Sequence, residues 1–352
     1  MKFYIKLSMN KKRFIVVIIG LILLIGGVFT FNTYNKIYAP NTVKEGFVFI
    51  KTNSNLKDLE NEVRPFLKRV ESFVWVANRK EYNKNIRAGK FKIPKGISNN
   101  DLINLLRSGK QTPVQLIFNN QHSLEDLAGR IAVQIEADSI SILNAMKDET
   151  FLKEHQFTSK SALGMYVPNS YELYWNSTAE QFRDRMLTEY NRFWNEERER
   201  QAKKLKLSRT KVIALASIVQ KETAKISERP IVAGLYLNRL KRGWPLQADP
   251  TIIYALKEKH GQDFVVKRVL LKDLTINSPY NTYQNKGIPP TLIAMPDISS
   301  IDAVLFSKKH NYFYMCASVD KIGYHEFANT LNQHNRNARK YQRWISNQGI
   351  NR

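Results

Sequence analysis

Cysteine and histidine are scarce in this chain, whose 352 residues include one cysteine and six histidines. The lone thiol, Cys316, excludes a disulfide within the chain and any zinc site built from several cysteines. The histidines are scattered, and none has the His-Glu-x-x-His spacing or a comparable one. We therefore expect no metal and no other cofactor. The sequence also lacks internal repeats and low-complexity segments.

Acidic residues are few relative to basic ones, 31 against 55, and the formal net charge is +24 at pH 7. Such a charge fits a nucleic acid, an anionic membrane surface or an acidic polymer, and it does not choose among them. Hydrophobic residues make up 43% of the chain and aromatic residues 11%, which indicates a folded protein. The length allows two or three modules, one of which can have a sizeable core.

Charge is missing altogether from residues 14–31, an apolar segment of 18 residues. As a helix it would be about 27 Å long, close to the thickness of the hydrocarbon layer of a membrane. Residues 1–13 contain Lys2, Lys6, Lys11, Lys12 and Arg13 but no acidic residue. By the positive-inside rule, this basic tail stays in the cytoplasm and the chain after the segment lies outside. A cleaved signal peptide is the alternative, but its apolar region is usually shorter, and no Ala-x-Ala-like site follows within residues 30–40.

We favour an uncleaved single-pass anchor in the plasma membrane over a cleaved signal peptide. Such an anchor limits the molecules that the main body of the protein can bind. It separates the main body of the protein from nucleic acid, so we expect no nucleic-acid partner. The positive charge would then serve phospholipid head groups or an anionic cell-wall polymer.

After a polar connector over residues 32–44, the apolar pattern predicts a small α/β subdomain over residues 45–110. Its predicted elements are strand 47–50, helix 54–67 with Asn53 or Ser54 as its cap, helix 70–82, strand 88–93 and helix 98–107. A larger mixed α+β domain is predicted over residues 111–348. It begins with strand 114–118 and has predicted helices at 123–136, 139–147, 179–205, 208–223 and 228–242. The predicted fold class is therefore α+β, with one N-terminal transmembrane helix ahead of the two folded parts.

Glu222 is a carboxylate on the apolar side of the predicted helix 208–223. At 3.6 residues per turn, its side chain lies over Ile218. A carboxyl group on an apolar stripe, near the carbonyl end of its helix, is costly to ionise, so we expect its pKa to be raised. A carboxylic acid that stays protonated near neutral pH can act as a general acid. The alternative is a partly exposed glutamate paired with Lys225 or Arg229.

Turn-forming and polar residues are dense in the second half of the chain. Loops rich in proline, tyrosine, asparagine and threonine suit a saccharide, because its hydroxyl groups form hydrogen bonds while its ring faces lie on aromatic side chains. The candidate substrate contacts are Gln247, Ser278, Tyr280, Asn281, Thr282 and Tyr283. Ordinary loop structure is the alternative for each of these motifs.

Asp249 and His325 are two further candidates for substrate contact. For each of them a structural role is favoured over a functional one. Asp249 is followed by Pro250 and opens an apolar helical pattern, so a capping role is favoured over a catalytic one. His325 is an isolated histidine, and such residues often only satisfy local hydrogen bonds.

Several motifs in the second half follow one another along the chain. They are Leu215-Ala-Ser-Ile-Val-Gln-Lys-Glu222-Thr223, Glu228-Arg-Pro230, Val232-Ala-Gly234, Asn238-Arg-Leu240, Pro245-Leu-Gln-Ala-Asp-Pro-Thr251, Ser278-Pro-Tyr-Asn-Thr-Tyr283, Gly287-Ile-Pro-Pro290 and His325-Glu-Phe327. Together they resemble the membrane-anchored endolytic murein transglycosylases of the YceG-like family. The linked set is specific, whereas any single motif would be weak.

The resemblance implies that Glu222 is the catalytic glutamate, and Gln220 stands where many relatives have a second Glu. It also implies a LysM-like peptidoglycan-binding fold for the small subdomain. Residues 164–172 are similar to a family stretch in which Asp is common where this chain has Asn169, so Tyr166 is assigned only to substrate lining. The implied activity is cleavage of MurNAc–GlcNAc bonds within glycan strands to give 1,6-anhydro-MurNAc ends, which would limit strand elongation.

One carboxylate is enough for a lytic transglycosylase, since the sugar supplies its own nucleophile, whereas a hydrolytic glycosidase generally needs two. Two alternatives stay open. One is a peptidoglycan hydrolase with Asp249 as its second carboxylate, and the other is a non-catalytic cell-wall binding or assembly factor. The expected partners are peptidoglycan strands and, through the N-terminal helix, membrane lipid; cell-wall synthases are a further candidate.

Overall fold

The computed structural model describes residues 11–348, which form two compact units. The first comprises the described residues up to Val114 together with Glu172–Asn176, and the second comprises Gln115–Tyr171 and the described residues from Ser177 onward. Linear sequence patterns do not reveal that Glu172–Asn176 belongs to the first unit. Residues 1–10 of the predicted cytoplasmic tail lie outside the described residues. The predicted mixed α+β class is confirmed.

The first unit, within its described residues, combines helices with one pair of strands. Its elements are α1 (Lys11–Tyr38), β1 (Gly46–Ile50), α2 (Leu56–Val63), α3 (Val70–Arg79), β2 (Gly89–Ile93) and α4 (Asn99–Ser108). β1 and β2 pair antiparallel, with Gly46 opposite Ile93. Alternate strand residues, such as Val48 and Phe91, are buried in a core with apolar residues of α2, α3 and α4. The strand-helix-helix-strand order is the predicted one, and the LysM-like identity of this unit stays a prediction.

α1 is longer than the predicted membrane segment. It runs to Tyr38, so residues 32–38 of the predicted connector are helical. No glycine or proline interrupts this stretch before Pro40, and α1 packs against α3 and α4. The apolar part of α1 is exposed, and it is long and apolar enough to cross a membrane.

A buried polar network fastens the end of α1 to the first unit. The amide nitrogen of Asn99 donates to the backbone carbonyl of Lys36 at 2.8 Å and to Ser72 Oγ at 3.0 Å. Its amide oxygen accepts from Asn41 Nδ2 at 2.8 Å. Asn99 is 1% exposed and Asn41 is 3% exposed, so each bond replaces hydration that burial removes.

The cap of α2 differs from the predicted one. The Asn55 side-chain oxygen accepts hydrogen bonds from the backbone N–H groups of Lys57 and Asp58 at 2.7 and 3.1 Å. The Asp58 carboxylate accepts a hydrogen bond from the Asn55 backbone N–H, which completes a capping box. The prediction of Asn53 or Ser54 was wrong, because Asn53 has a φ of 62° and belongs to the preceding turn.

The second unit is mostly helical, with two short strand pairs, although Val114 at the start of β3 and Glu172 and Leu173 at the end of β4 are counted in the first unit. Its elements are β3 (Val114–Phe118), α5 (Leu124–Ala132), α6 (Ser139–Met146), α7 (Glu149–Glu154), β4 (Asn169–Leu173), α8 (Ala179–Phe193), α9 (Glu196–Leu205), α10 (Arg209–Glu222), α11 (Arg229–Lys241), α12 (Asp249–His260), α13 (Ile298–Leu305), β5 (Tyr314–Ala317), β6 (His325–Ala328) and α14 (Leu331–Asn347). β3 pairs with β4, and β5 pairs antiparallel with β6. β3 has the predicted bounds.

The prediction of one long helix over residues 179–205 was wrong, because the chain breaks into α8 and α9. Trp194 ends α8 and is only 3% exposed, so its indole is held in the core. The Asn195 side chain then accepts the backbone N–H of Arg198 at 3.0 Å and starts α9. The charged residues of α8 and α9 follow one helical pattern, so the sequence pattern alone does not indicate a break between the two helices.

α10 is the central helix of the second unit. All eight residues from Val212 to Val219 are buried, and α10 packs against α11, α12 and α13. The Ser217 hydroxyl donates to the Ala214 carbonyl and accepts from the Ile293 N–H at 3.0 Å, which satisfies a buried polar group. A helix enclosed in this way has a fixed position, and its last residue is Glu222.

Replacing Asn99 with alanine should lower the free energy of unfolding of the first unit by about 1–3 kcal/mol, because the buried Asn41 amide loses one of its acceptors and the Lys36 carbonyl loses its donor. Chemical denaturation of the full chain in detergent measures this change. Asn78→Ala, at an exposed position of α3, is the matched control and should change stability little. Equal stability of Asn99→Ala and the unmodified chain would contradict the assigned role of the network.

Candidate active site

The end of α10 presents Glu222 at a boundary between core and surface. Ile218 and Val219 in the same turn are 0% exposed, whereas Glu222 is partly exposed. Thr223 follows in an extended conformation and ends the helix. The predicted placement of Glu222 on an apolar helical stripe is therefore correct.

Tyr236 is the direct hydrogen-bond partner of Glu222. It lies on α11, which packs against α10, and its hydroxyl donates to Glu222 Oε1 at 2.7 Å. Tyr236 is 1% exposed, and burial raises the pKa of its hydroxyl well above the usual value. The hydroxyl therefore stays protonated and remains a donor to the carboxyl group.

Burial raises the pKa of Glu222 from 4.5 to about 7. Desolvation is the largest cause, and the charge of Asp249 acts in the same direction. The hydrogen bond from Tyr236 and the positive charges of His325 and Arg239 lower the pKa and offset part of this rise. Both protonation states of the carboxyl group are therefore populated near neutral pH, so it can donate a proton and also accept one.

The alternative ion pairs of Glu222 do not form. Arg229 Nη1 instead bonds to Asp297 Oδ2 at 2.8 Å. The Lys225 ammonium lies over the ring of Tyr324, 5.2 Å from its centre. Both basic residues near the end of α10 thus have other partners, which leaves the carboxyl group with the environment that raises its pKa.

Asp249 is not a helix cap, so the favoured prediction was wrong. Ala248 is the N-cap of α12 and Asp249 is its first helical residue, followed by Pro250. The Asp249 carboxylate accepts a hydrogen bond from the Tyr283 hydroxyl at 2.5 Å instead of capping the helix. Because the charge of Asp249 raises the pKa of Glu222, the two carboxyl groups belong to one electrostatic site.

His325 is held by a buried carboxylate. Glu228 accepts from the backbone N–H of His325 at 2.7 Å and bonds to its Nδ1 at 2.8 Å. Burial alone would lower the pKa of His325, but the bond with Glu228 outweighs it and the pKa is raised. This pairing agrees with the favoured structural role, and it also places a partial positive charge near Glu222.

Arg239 brings a second positive charge to the site from the interior. Its side chain is 9% exposed, and it donates to the backbone carbonyls of Phe313 and Leu246 at 2.7 and 2.5 Å. Carbonyl oxygens stabilise the charge without neutralising it. A fixed cation therefore remains available to oppose the charge of Asp249.

Three predicted substrate contacts support the loop instead of facing solvent. Asn281 is 0% exposed; its amide nitrogen donates to two loop carbonyls, and its amide oxygen accepts from the Tyr283 N–H at 2.9 Å. Thr282 Oγ1 accepts from the Ala248 N–H at 3.0 Å, and Tyr280 bonds to Thr291. Their burial argues against direct contact with a glycan and indicates that they position Tyr283 and the start of α12.

The remaining candidates are spread over different environments. Gln247 is exposed, and its backbone N–H donates to the Thr282 carbonyl at 3.0 Å, so it lies beside Asp249. Ser278 Oγ accepts from the Tyr280 N–H at 3.2 Å and shapes the same loop. Tyr166 is 1% exposed and stacks on Phe182, which argues for core packing and against substrate lining.

Sequence reasoning assigned no role to Tyr236, Arg239 or Glu228. Arg239 and Glu228 are part of the quoted motifs, but nothing in their spacing shows which groups they contact. Tyr236 lies 14 residues after Glu222, and only the packing of α11 on α10 brings the two together. Across residues 11–348, three or more His, Cys, Asp or Glu side chains do not converge as a metal site would require.

The fold and the site define a mixed α+β protein in which one desolvated carboxyl group lies in a network of tyrosines and opposed charges. The chain belongs to the YceG-like family, whose model matches residues 48–340. The resemblance seen in the motifs is thereby confirmed.

Named relatives and a solved structure are consistent with this membership. The chain is 31% identical over 270 residues to an endolytic murein transglycosylase of Bacillus subtilis, covering 72% of this chain and 73% of the relative. It is 27% identical over 330 residues to an endolytic murein transglycosylase of Streptococcus pneumoniae, covering 86% of this chain and 59% of the relative. A crystal structure of a yceG-like protein from Listeria monocytogenes matches with a TM-score of 0.54 and 25% identity, over 83% of this chain and 98% of that one.

The raised pKa of Glu222 predicts a pH-dependent effect of Glu222→Gln on stability. Below pH 4.5 the carboxyl is protonated in both the folded and unfolded states, and glutamine resembles it. Between pH 4.5 and about 7 only the unfolded chain ionises, so the unmodified protein loses stability as the pH rises. Above pH 7, Glu222→Gln should be more stable by about 1–3 kcal/mol, a value reduced for the partial exposure of the residue.

Denaturation curves at pH 4.5 and pH 8 measure this difference. The control is Glu154→Gln, at an exposed glutamate of α7 in the same unit, a surface substitution that should change stability little. A stability difference that is the same at both pH values would contradict the desolvation of Glu222.

Proposed function

We propose that this chain is a membrane-anchored endolytic lytic transglycosylase of peptidoglycan. Membership of the YceG-like family and the names of its relatives support the reaction class. The observation that carries the proposal is the position of the Glu222 carboxyl group at the end of the buried helix α10, where it accepts a hydrogen bond from Tyr236. Burial there raises its pKa to about 7, which suits both a general acid and a general base. The chain spans about three-fifths of the length of the pneumococcal relative, so the proposal concerns the activity of these residues alone.

In the first step, protonated Glu222 donates its proton to the glycosidic oxygen between N-acetylmuramic acid and the following N-acetylglucosamine. The bond from that oxygen to the muramic C1 breaks, and positive charge develops on the sugar ring. Tyr236 donates to Oε1 of the carboxyl group, and Oε2 is the oxygen proposed to transfer the proton. The Asp249 carboxylate, with the Tyr283 hydroxyl bound to it, is the candidate group that stabilises the developing charge.

In the second step, ionised Glu222 takes the proton from the muramic C6 hydroxyl. The C6 oxygen forms a bond to C1, which closes a 1,6-anhydro ring and returns the enzyme to its starting protonation state. Water is not consumed. Because the nucleophile belongs to the same sugar, the step has the high effective concentration of an intramolecular reaction and needs no second catalytic carboxylate.

The proposed topology has the N-terminus in the cytoplasm, residues 14–31 across the plasma membrane and both folded units outside it. The basic residues before the apolar segment and the length of α1 support this orientation. Peptidoglycan strands are the proposed partner, the small unit is proposed as LysM-like, and an encounter with cell-wall synthases in the same membrane plane fits a role in limiting strand length.

Glu222→Gln should abolish formation of anhydro ends, with a rate loss of at least about a hundredfold, because the proton donor and acceptor are both lost. The assay is mass spectrometry of glycan ends after the full chain in detergent has acted on purified peptidoglycan. Glu258→Gln, at an exposed glutamate of α12, is the matched control and should retain activity. Unchanged products from Glu222→Gln would overturn the assignment, and binding without cleavage by the unmodified chain would favour a wall-binding factor.

Asp249→Asn should reduce the rate by about tenfold, less than Glu222→Gln, because it removes only a supporting charge. The same end analysis tests the hydrolase alternative, since a reducing end carries one more water than an anhydro end. A complete loss in Asp249→Asn, together with reducing ends from the unmodified chain, would establish two-carboxylate hydrolysis instead.

A further inference from the structure

The membrane helix and the first unit are joined without a flexible connector. α1 continues past its apolar segment to Tyr38, and the Lys36 carbonyl accepts a hydrogen bond from the buried Asn99. Asn41, just after the helix, bonds to Asn99 and to the Arg69 carbonyl. A unit fixed to the helix in this way presents one particular side to the membrane from which the helix emerges.

The contacts along α1 show which end of α3 faces the apolar segment. Asn41 contacts Arg69, at the N-terminal end of α3. Lys36 lies closer to the apolar segment, and its ammonium is over the ring of Trp75, 5.5 Å from the centre. From Asn41 back to Lys36 the chain approaches the apolar segment, and the contacting residue of α3 changes from Arg69 to Trp75. The two helices therefore run in opposite directions. The C-terminal end of α3, with Arg79, therefore points toward the membrane.

Distances along α1 place these groups at the level of lipid head groups. Lys36 follows Phe31, the last residue of the apolar segment, by five residues, which is about 7.5 Å of helix. The polar layer on one side of a bilayer is about 5–7 Å thick. Trp75 and the Lys36 ammonium thus lie at its outer edge. Arg79 is one turn closer, and its guanidinium is 5.4 Å from the Trp75 ring centre.

Basic groups collect at this end of the first unit. Lys80 follows Arg79, and its ammonium donates to Asn100 Oδ1 and Asn104 Oδ1 of α4, both at 2.6 Å, which leaves one N–H for a phosphate. The Arg107 guanidinium donates to the Lys80 carbonyl at 2.7 Å. Burial and the charge of Arg107 lower the pKa of Lys80, although Asp101 opposes them. The acidic Glu71 lies at the other end of α3, and Glu81 forms a salt bridge with Lys84 at 2.9 Å.

Helix dipoles explain only part of this charge. The C-termini of α3 and α4 each have a partial charge of about −0.5, which basic side chains complement. Lys36, Arg79, Lys80 and Arg107 together bring four formal positive charges, several times what the two helix ends require. A tryptophan between two cations is also a typical side chain of the membrane interface.

We propose that Lys36, Trp75, Arg79, Lys80 and Arg107, here called the juxtamembrane cluster, bind the phosphates of anionic phospholipids in the leaflet from which α1 emerges. The inference rests on the proposed membrane anchor. The indole lies among the head groups while the cations bind lipid phosphates, so the cluster holds the first unit against the membrane surface in one orientation.

Two single-label variants of the full chain test the proposal. Cys316→Ser removes the only cysteine, and Asn78→Cys or Glu71→Cys then introduces one label site at either end of α3. Seven residues separate the two sites, about 10.5 Å along the helix. Each labelled protein is placed in nanodiscs of phosphatidylglycerol and phosphatidylcholine, or of phosphatidylcholine alone, with a quencher attached to the head groups.

We expect the label at position 78 to be quenched strongly in anionic discs and the label at position 71 to be quenched less. The contrast should weaken in neutral discs and in high salt, because both conditions remove the attraction between cations and phosphates. Lys36→Gln with Arg79→Gln should lower the quenching at position 78 by about half in anionic discs. Lys51→Gln with Lys57→Gln, which removes two charges elsewhere in the unit, should leave it unchanged.

Equal quenching at the two positions, or the same quenching in neutral and anionic discs, would overturn the proposal. A chain that alkaline carbonate strips from lipid vesicles would contradict both the anchor and the cluster. Cleavage of purified peptidoglycan in detergent is measured on the same variants and should not change. If the cluster fails while cleavage and anchoring persist, the inference alone is wrong and the proposed function stands.

Discussion

The hydrogen bond from Tyr236 to Glu222, formed where solvent is largely excluded, is the interaction on which the site depends. Burial raises the pKa of Glu222 above that of an ordinary glutamate, whereas the hydrogen bond from Tyr236 lowers it. The buried hydroxyl partly compensates the desolvation, and the pKa of Glu222 comes to about 7. This balance requires a rigid α10, whose buried residues from Val212 to Val219 fix the position of its last turn.

Opposed charges around Glu222 refine that balance. Asp249 raises the pKa of Glu222, whereas His325 and Arg239 lower it, and each of the three is held by its own hydrogen bonds. The buried loop residues affect Glu222 indirectly. Asn281 and Thr282 hold the backbone at Tyr283 and at the start of α12, where Asp249 lies. The site thus consists of one reacting group, Glu222, surrounded by charged groups whose positions are fixed by hydrogen bonds.

Local patterns in the sequence predicted the features that depend on neighbouring residues. The apolar stripe under Glu222 and β3 follow from periodicity, the N-terminal apolar helix follows from an uncharged run of residues, and the linked motifs identified the family. The predictions that were wrong concern features that depend on tertiary contacts. Asp249 has a typical capping sequence but bonds to Tyr283, 34 residues away, and the helix ends at Trp194, whose side chain is buried in the core. The partnership of Tyr236 with Glu222 exists only because two helices pack.

Titration of the Glu222 carboxyl in the folded protein shows whether this group can donate a proton at neutral pH. Carbon NMR of the full chain, with Glu222→Gln used to assign the resonance, reports the protonation of this one group. We expect a midpoint of about 7. A midpoint near 4.5, the value of an ordinary glutamate, would show that the carboxyl is ionised at neutral pH and could not serve as the proton donor.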